Sequence, residues 1–151
     1  VSAETIEGLK EGEVIVDFIY KRSFEEHAFD IQEYKLVVDK DLKVTSEYLG
    51  QKYDDGRFVV ELDAPKDDNG HWEYMVDTAN VVTVDEELVE NEKQNFNVKR
   101  YTLHATALDT FVFTCRYKKP DGSYDLEAIY ELIINDDLSI TERIHYGSYF
   151  E

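Results

Sequence analysis

Residues Tyr34-Lys-Leu-Val-Val-Asp-Lys-Asp-Leu-Lys-Val-Thr45 return, 96 residues later, as Tyr130-Glu-Leu-Ile-Ile-Asn-Asp-Asp-Leu-Ser-Ile-Thr141. Five of the twelve positions are identical, three exchange Val for Ile and one exchanges Asp for Asn. Each copy sets apolar, largely β-branched residues on either side of an acidic turn, which is how a β-hairpin reads. The echo therefore predicts equivalent hairpins at 34–45 and 130–141 within a single β domain spanning 1–151.

The rest of the chain repeats with a period of two. Val14, Val16, Phe18 and Tyr20 alternate with Ile15, Asp17, Ile19 and Lys21, and comparable runs begin near Ala28, Leu42, Arg57, Trp72, Phe96, Phe111, Tyr124 and Leu138. Such runs are half-buried strands. The joints carry turn residues: Asp39-Lys-Asp41, Asp54-Asp55-Gly56, Asp67-Asp68-Asn69-Gly70, Pro120-Asp121-Gly122 and Asn135-Asp136-Asp137. Consecutive strands are thus expected to be hairpin-linked and antiparallel. Two stretches depart from this. Ser2 to Gly12 reads as a capped turn or short helix, with Ser2 or Thr5 as cap and Gly12 as stop. Val84 to Gln94 is polar and reads as a solvated helical turn or a mobile loop.

The predicted fold is all-β: roughly nine or ten strands in one antiparallel meander. An up-and-down barrel is favoured over a two-sheet sandwich, because closure removes sheet edges. In architecture such a barrel resembles the calycins, whose interior can hold a small ligand. The lipocalin Gly-x-Trp near the first strand is absent, the only tryptophan being Trp72 after Gly70-His71, and no family is claimed.

Composition narrows the partners. With 34 acidic against 16 basic residues the net charge is −18, a field that repels nucleic-acid phosphates and anionic lipid and favours cations. Outward acids on strands also keep a β protein soluble. No run approaches the ~20 apolar residues of a membrane helix. Cys115 is the only cysteine, so no disulfide forms within the chain, and a domain of this size buries roughly 70% of its unfolded surface without one. Cys115 reads as a small buried hydrophobe. Val1-Ser2-Ala3 has the small-residue pattern that closes a signal peptide. Export is the slight expectation, although Met removal before Val would leave the same start.

One acid sits where an apolar residue is expected. In the last strands the inward rows are Tyr124, Leu126, Ala128, Tyr130, Leu132 and Ile134, then Leu138, Ile140, Glu142, Ile144 and Tyr146. Placing a carboxylate in such a row costs free energy unless it is paired, hydrogen-bonded or protonated. Glu142 is therefore the leading candidate for a functional residue, against the alternatives of a structural ion pair or a bulge that turns it outward beside Arg143. Tyrosine is the second signal. Tyr20, Tyr34, Tyr48, Tyr117, Tyr130 and Tyr146 share the inward parity, and buried hydroxyls need partners. A concave interior lined by rings with converging polar tips suits a small molecule. A bulge near Gln32-Glu33 is needed to reconcile Phe29 and Ile31 with Tyr34, Leu36 and Val38.

No residue pattern carries catalysis, a metal or a cofactor. His27, His71, His104 and His145 are not at metal-ligand spacing, and His104-Ala-Thr106 lacks the second element that a two-histidine phosphoesterase needs. The Asp-rich turns do not match a twelve-residue calcium loop, and neither a phosphate loop nor a Gly-x-Ser-x-Gly elbow is present. The leading expectation is a non-enzymatic binding protein that holds a small, partly apolar ligand through Glu142, Tyr20, Tyr34, Tyr117, Tyr130 and Tyr146. The alternative is an acidic interaction or inhibitor protein whose surface engages a basic partner, for instance as a nucleic-acid mimic.

Overall fold

The computed structural model describes residues 5–20, 30–53 and 55–149, and within the strands it leaves the side chains of Tyr20, Asp30, Ser148 and Tyr149 undescribed. Among the described residues there are ten strands and no helix: β1 (Gly12–Tyr20), β2 (Asp30–Val38), β3 (Val44–Lys52), β4 (Phe58–Pro65), β5 (His71–Val76), β6 (Val82–Val89), β7 (Phe96–Ala105), β8 (Thr110–Lys118), β9 (Tyr124–Ile134) and β10 (Ile140–Tyr149). They make two antiparallel sheets, one ordered β1-β2-β3-β10-β9-β8-β5 and one ordered β4-β7-β6.

The two sheets are not closed into the calycin-like barrel favoured from the sequence. The reason lies in the joints. A meander requires each strand to pair with the next, yet β3 pairs with β10 and β5 with β8. The turn residues around Asp55-Gly56 and Asp67 to Gly70, read as hairpin turns, are corners that carry the chain from one sheet to the other. At the first corner Gly56 adopts φ 82°, a backbone that glycine takes without strain. Its carbonyl accepts the Ile140 amide at 3.2 Å, tying the corner to the start of β10.

Between the sheets lies one apolar core. Phe58, Val60, Tyr101 and Leu103 of the small sheet meet Phe111, Phe113, Cys115, Tyr117, Tyr130, Leu132 and Ile140 of the large one. β8 shows why: its residues alternate buried and half-buried through Lys118, which is the period-two pattern of a strand with one face on a core. Phe58 meets Tyr130 edge-on at 5.9 Å, Tyr101 meets Phe113 at 5.5 Å, and the Trp72 indole donates to the Asp63 carbonyl at 2.9 Å. These contacts cross the layers. Cys115 is fully buried among the core residues, and burial holds its thiol above the usual range.

The repeated segments fold alike. Val38 pairs with Val44 in one copy and Ile134 with Ile140 in the other, the same register displaced by 96 residues. In the turns Leu42 donates to the Asp39 carbonyl and Leu138 to that of Asn135, and both leucines are left-handed, at φ 60° and 67°. The hairpins lie side by side, β3 against β10. Each carries a bulge on its second strand, at Leu49 in β3 and at Arg143 in β10.

Three expectations are corrected. β2 pairs with β1 without interruption, so the bulge sought near Gln32-Glu33 lies on β3, and Ile31 shares a face with Ile19 and Glu33. The polar stretch from Val84 is strand β6 as far as Val89, because Asp85, Glu86 and Glu87 pair alongside Thr102, Tyr101 and Arg100 of β7. Residues 5–11 form no helix. They run back across the first hairpin, where a Cβ on Gly8 would lie 2.8 Å from the Leu42 carbonyl oxygen. Ser2 lies outside the described residues.

Candidate functional site

The bulge at Arg143 decides what faces inward on β10. Glu142 stands opposite Leu132, then the register slips, so that His145 stands opposite Tyr130 and Ile144 opposite Glu131. Glu142 therefore stays on the inner row with Ile140, whereas Ile144 and Tyr146 turn outward and are 45% and 51% exposed. Reading the strand without a bulge put Tyr146 on the wrong face. The bulge follows Glu142 and leaves it in place, so it does not turn the carboxylate outward beside Arg143.

Glu142 is half-buried and accepts a hydrogen bond from the side-chain amide of Gln51, its partner across the β3–β10 seam. Together they line a cleft of about 210 Å³ whose remaining walls include Tyr53, Phe58, Val60 and Tyr130. The cleft opens beside β4, one of the two edge strands of the small sheet. Tyr130 is buried. Its phenol is held above the usual tyrosine range, chiefly by burial and further by Cys115, Glu142 and Tyr53, so it is neutral at physiological pH. The His145 ring stacks on it at 4.3 Å, nearly parallel, and Phe58 meets it edge-on. Tyr53 carries the Arg57 guanidinium 5.9 Å from its ring centre, and Arg57 pairs with Asp55 at 2.6 Å. The site thus offers a carboxylate held by an amide and the aromatic side chains of Tyr53, Phe58 and Tyr130, with the charged residues Lys52 and Glu61 also in its lining.

The other tyrosines named from the sequence are elsewhere. Tyr117 is buried at the far end of the core, packed on Trp72 at 5.4 Å, with its hydroxyl donating to Asp68. Burial and that hydrogen bond hold its phenol above the usual range and Asp68 below its own. A Cβ on Gly70 would lie 2.6 Å from the Tyr117 ring, so glycine is what lets the loop close on it. Tyr34 lies on β2 between Phe18 and Tyr48, at ring distances of 5.6 and 5.1 Å. The side chain of Tyr20 lies outside the described residues. The structure therefore joins Glu142 with Tyr130 and separates both from Tyr34, Tyr117 and Tyr146. Gln51, Tyr53, Phe58 and His145 were missed. Only the seam between two hairpins distant in sequence brings Gln51 to Glu142, and no local signal announces that.

Among the described residues no three His, Cys, Asp or Glu side chains gather as metal ligands, and no helix is long and apolar enough to cross a membrane. His27 lies outside the described residues. Compared with known proteins, the chain matches no family model, no curated protein and no solved structure.

Proposed function

We propose that this is a non-enzymatic binding protein whose cleft beside β4 takes a small, partly apolar ligand with a cationic end. The observation that carries the reading is Glu142, a carboxylate that follows Ile140 on the inner row of β10 and lines the same cleft as Tyr53, Phe58 and Tyr130. Aromatic faces attract cations, by about 0.5–2 kcal/mol according to desolvation, and a carboxylate adds direction. A volume of about 210 Å³ is below the ~300–1,000 Å³ of drug-sized sites, which limits the occupant to a group the size of an aryl- or alkylammonium. The net charge of −18 raises the local concentration of cations around the whole molecule. The calycin analogy survives in this reading only as a ligand seat within an all-β scaffold, at the edge of a sandwich and not inside a barrel.

Titration with benzylammonium, followed by the NMR shifts of the aromatic residues, tests the reading. Saturable shifts confined to Tyr53, Phe58, Tyr130 and His145, and much smaller ones with benzyl alcohol, are expected. Equal responses to the two compounds would remove the carboxylate from the account.

The acidity favours a second reading, in which the surface engages a basic protein. The two separate by the steepness of their salt dependence: capture of a single cationic group in the cleft weakens shallowly with ionic strength, whereas a broad charged interface weakens steeply.

A further inference from the structure

The strands β1, β2 and β3 form a wing beyond the small sheet, and their two faces differ in charge. Cross-strand pairing puts Val14, Val16, Phe18, Tyr34, Leu36 and Tyr48 on the face continuous with the core, along with Gln32, Val38, Val44, Ser46 and Gln51. None of these described side chains is charged. The opposite face sets Glu13, Asp17, Glu33, Lys35, Glu47 and Lys52 among Ile15, Ile19, Ile31 and Val37, so the faces differ in charge and not in the presence of apolar residues. Alternation of this kind belongs to a sheet with one covered face. Val14 and Tyr48 on the uncharged face are nevertheless 52% and 47% exposed. The segment 5–11 reaches its turn end, where Gly8 lies against Val38 and Val44.

The twin hairpin shows what such a face packs against. Tyr130, Leu132, Ile134 and Ile140 are the counterparts of Tyr34, Leu36, Val38 and Val44, and all four are buried in the core closed by the three-stranded sheet β4-β7-β6. A second wing is also a three-stranded antiparallel sheet. We propose that the uncharged face of the wing docks on the same face of a second copy, the two wings forming a sandwich across a two-fold axis. Charge selects this surface, because copies carrying −18 each repel and approach most closely where none of the described side chains on either is acidic. Three strands of nine residues span about 14 by 30 Å, so two flat faces bury about 840 Å², below the range of a standard specific interface and suited to a weak one. The dimer is therefore reversible and depends on concentration.

Sedimentation equilibrium on three proteins tests this: the parent, Val14→Glu and Ile15→Glu. Val14 and Ile15 are neighbours on one strand with nearly equal exposure, 52% and 53%, but lie on opposite faces. The parent should dimerise, and more tightly as salt screens the mutual repulsion. Val14→Glu should weaken the dimer at least about tenfold by burying like charges, and Ile15→Glu should leave it nearly unchanged. A parent that stays monomeric to about millimolar concentration overturns the proposal, including one that instead binds neutral lipid vesicles. Equal weakening by the two variants overturns it too, since that result belongs to edge-to-edge pairing of β1.

Discussion

The Gln51 side-chain amide donates to the Glu142 carboxylate across a seam where β3 and β10 pair through only two residue pairs, Thr141 with Lys52 and Glu142 with Gln51. This side-chain bond adds to the short ladder and to the close approach of Gly50 to the Glu142 backbone in joining the wing to the sandwich. Gln51→Ala is expected to cost about 1–2 kcal/mol, the range for a hydrogen bond to a partly exposed charged group. The loss should be local: hydrogen exchange should quicken in β2 and β3 while β8 and β9 keep their protection. Uniform loss of protection would mean that wing and sandwich unfold as one unit.

The matching turns give a paired test. Leu42 and Leu138 both hold positive φ, a conformation that costs a residue with a Cβ about 1–2 kcal/mol. Glycine relieves that strain and loses about 0.5–1 kcal/mol in chain entropy. Leu42→Gly and Leu138→Gly should each leave stability equal or raise it by up to about 1 kcal/mol, by thermal denaturation. Opposite signs would show that the two turns, alike in backbone, differ in what their side chains hold.

Acid should act on the wing and the sandwich in opposite directions. Burial raises the Glu33 carboxyl, as does its hydrogen bond with Asp17 directly across β1, and Lys52 at 3.7 Å only partly offsets them. A raised folded pKa means that protonation favours the folded wing, and that this contribution fades as pH climbs through the raised value. Asp68, held down by Tyr117, and Asp137, held down by Ser139, behave the other way: their stabilisation is complete above the usual carboxylate range and is lost as pH falls through their depressed values. Mild acid should therefore raise the protection factors of β1 and β2 relative to those of β8 and β9, and stronger acid should weaken the sandwich around Asp68 and Asp137. Asp17→Asn should remove the first effect and stabilise the wing at neutral pH by a few tenths of a kcal/mol, the usual worth of relieving a facing like-charge pair. Exchange profiles measured between pH 7 and 3 decide it.

Much of the fold was legible because it is local. Period-two alternation in β8 and β9 and turn residues at Asp39 and Asn135 are decided within a few residues, and the 96-residue echo carried one hairpin onto the other down to the left-handed leucine. Pairing between distant strands was not legible. Nothing around Gly50 says that its Cβ would lie 2.5 Å from the Glu142 carbonyl oxygen, and it is this close approach that seats β3 on β10. The polar strand β6 was hidden for another reason: Asp85 to Glu87 owe their conformation to partners on β7, including the ion pairs of Glu86 with Lys99 at 3.2 Å and Glu87 with Arg100 at 3.4 Å. As for the candidate site, burial logic put Glu142 and Tyr130 on the inner face, which is where they lie. One bulge moved Tyr146 away, and the crossing at Asp55-Gly56 supplied Tyr53 and Phe58, which no spacing rule would have gathered.

Glu142→Gln is the substitution that separates a ligand seat from a structural carboxylate, because glutamine keeps the shape and an acceptor for Gln51 but removes the charge. Its folding stability and its affinity for benzylammonium, measured on the same preparation by denaturant titration and by calorimetry, should come apart. Stability is expected within about 1 kcal/mol of the parent, with affinity reduced at least about tenfold through loss of the charge-assisted contact. A stability loss of about 3–5 kcal/mol, as when one member of a buried ion pair is removed, or an affinity equal to the parent's, would contradict the account.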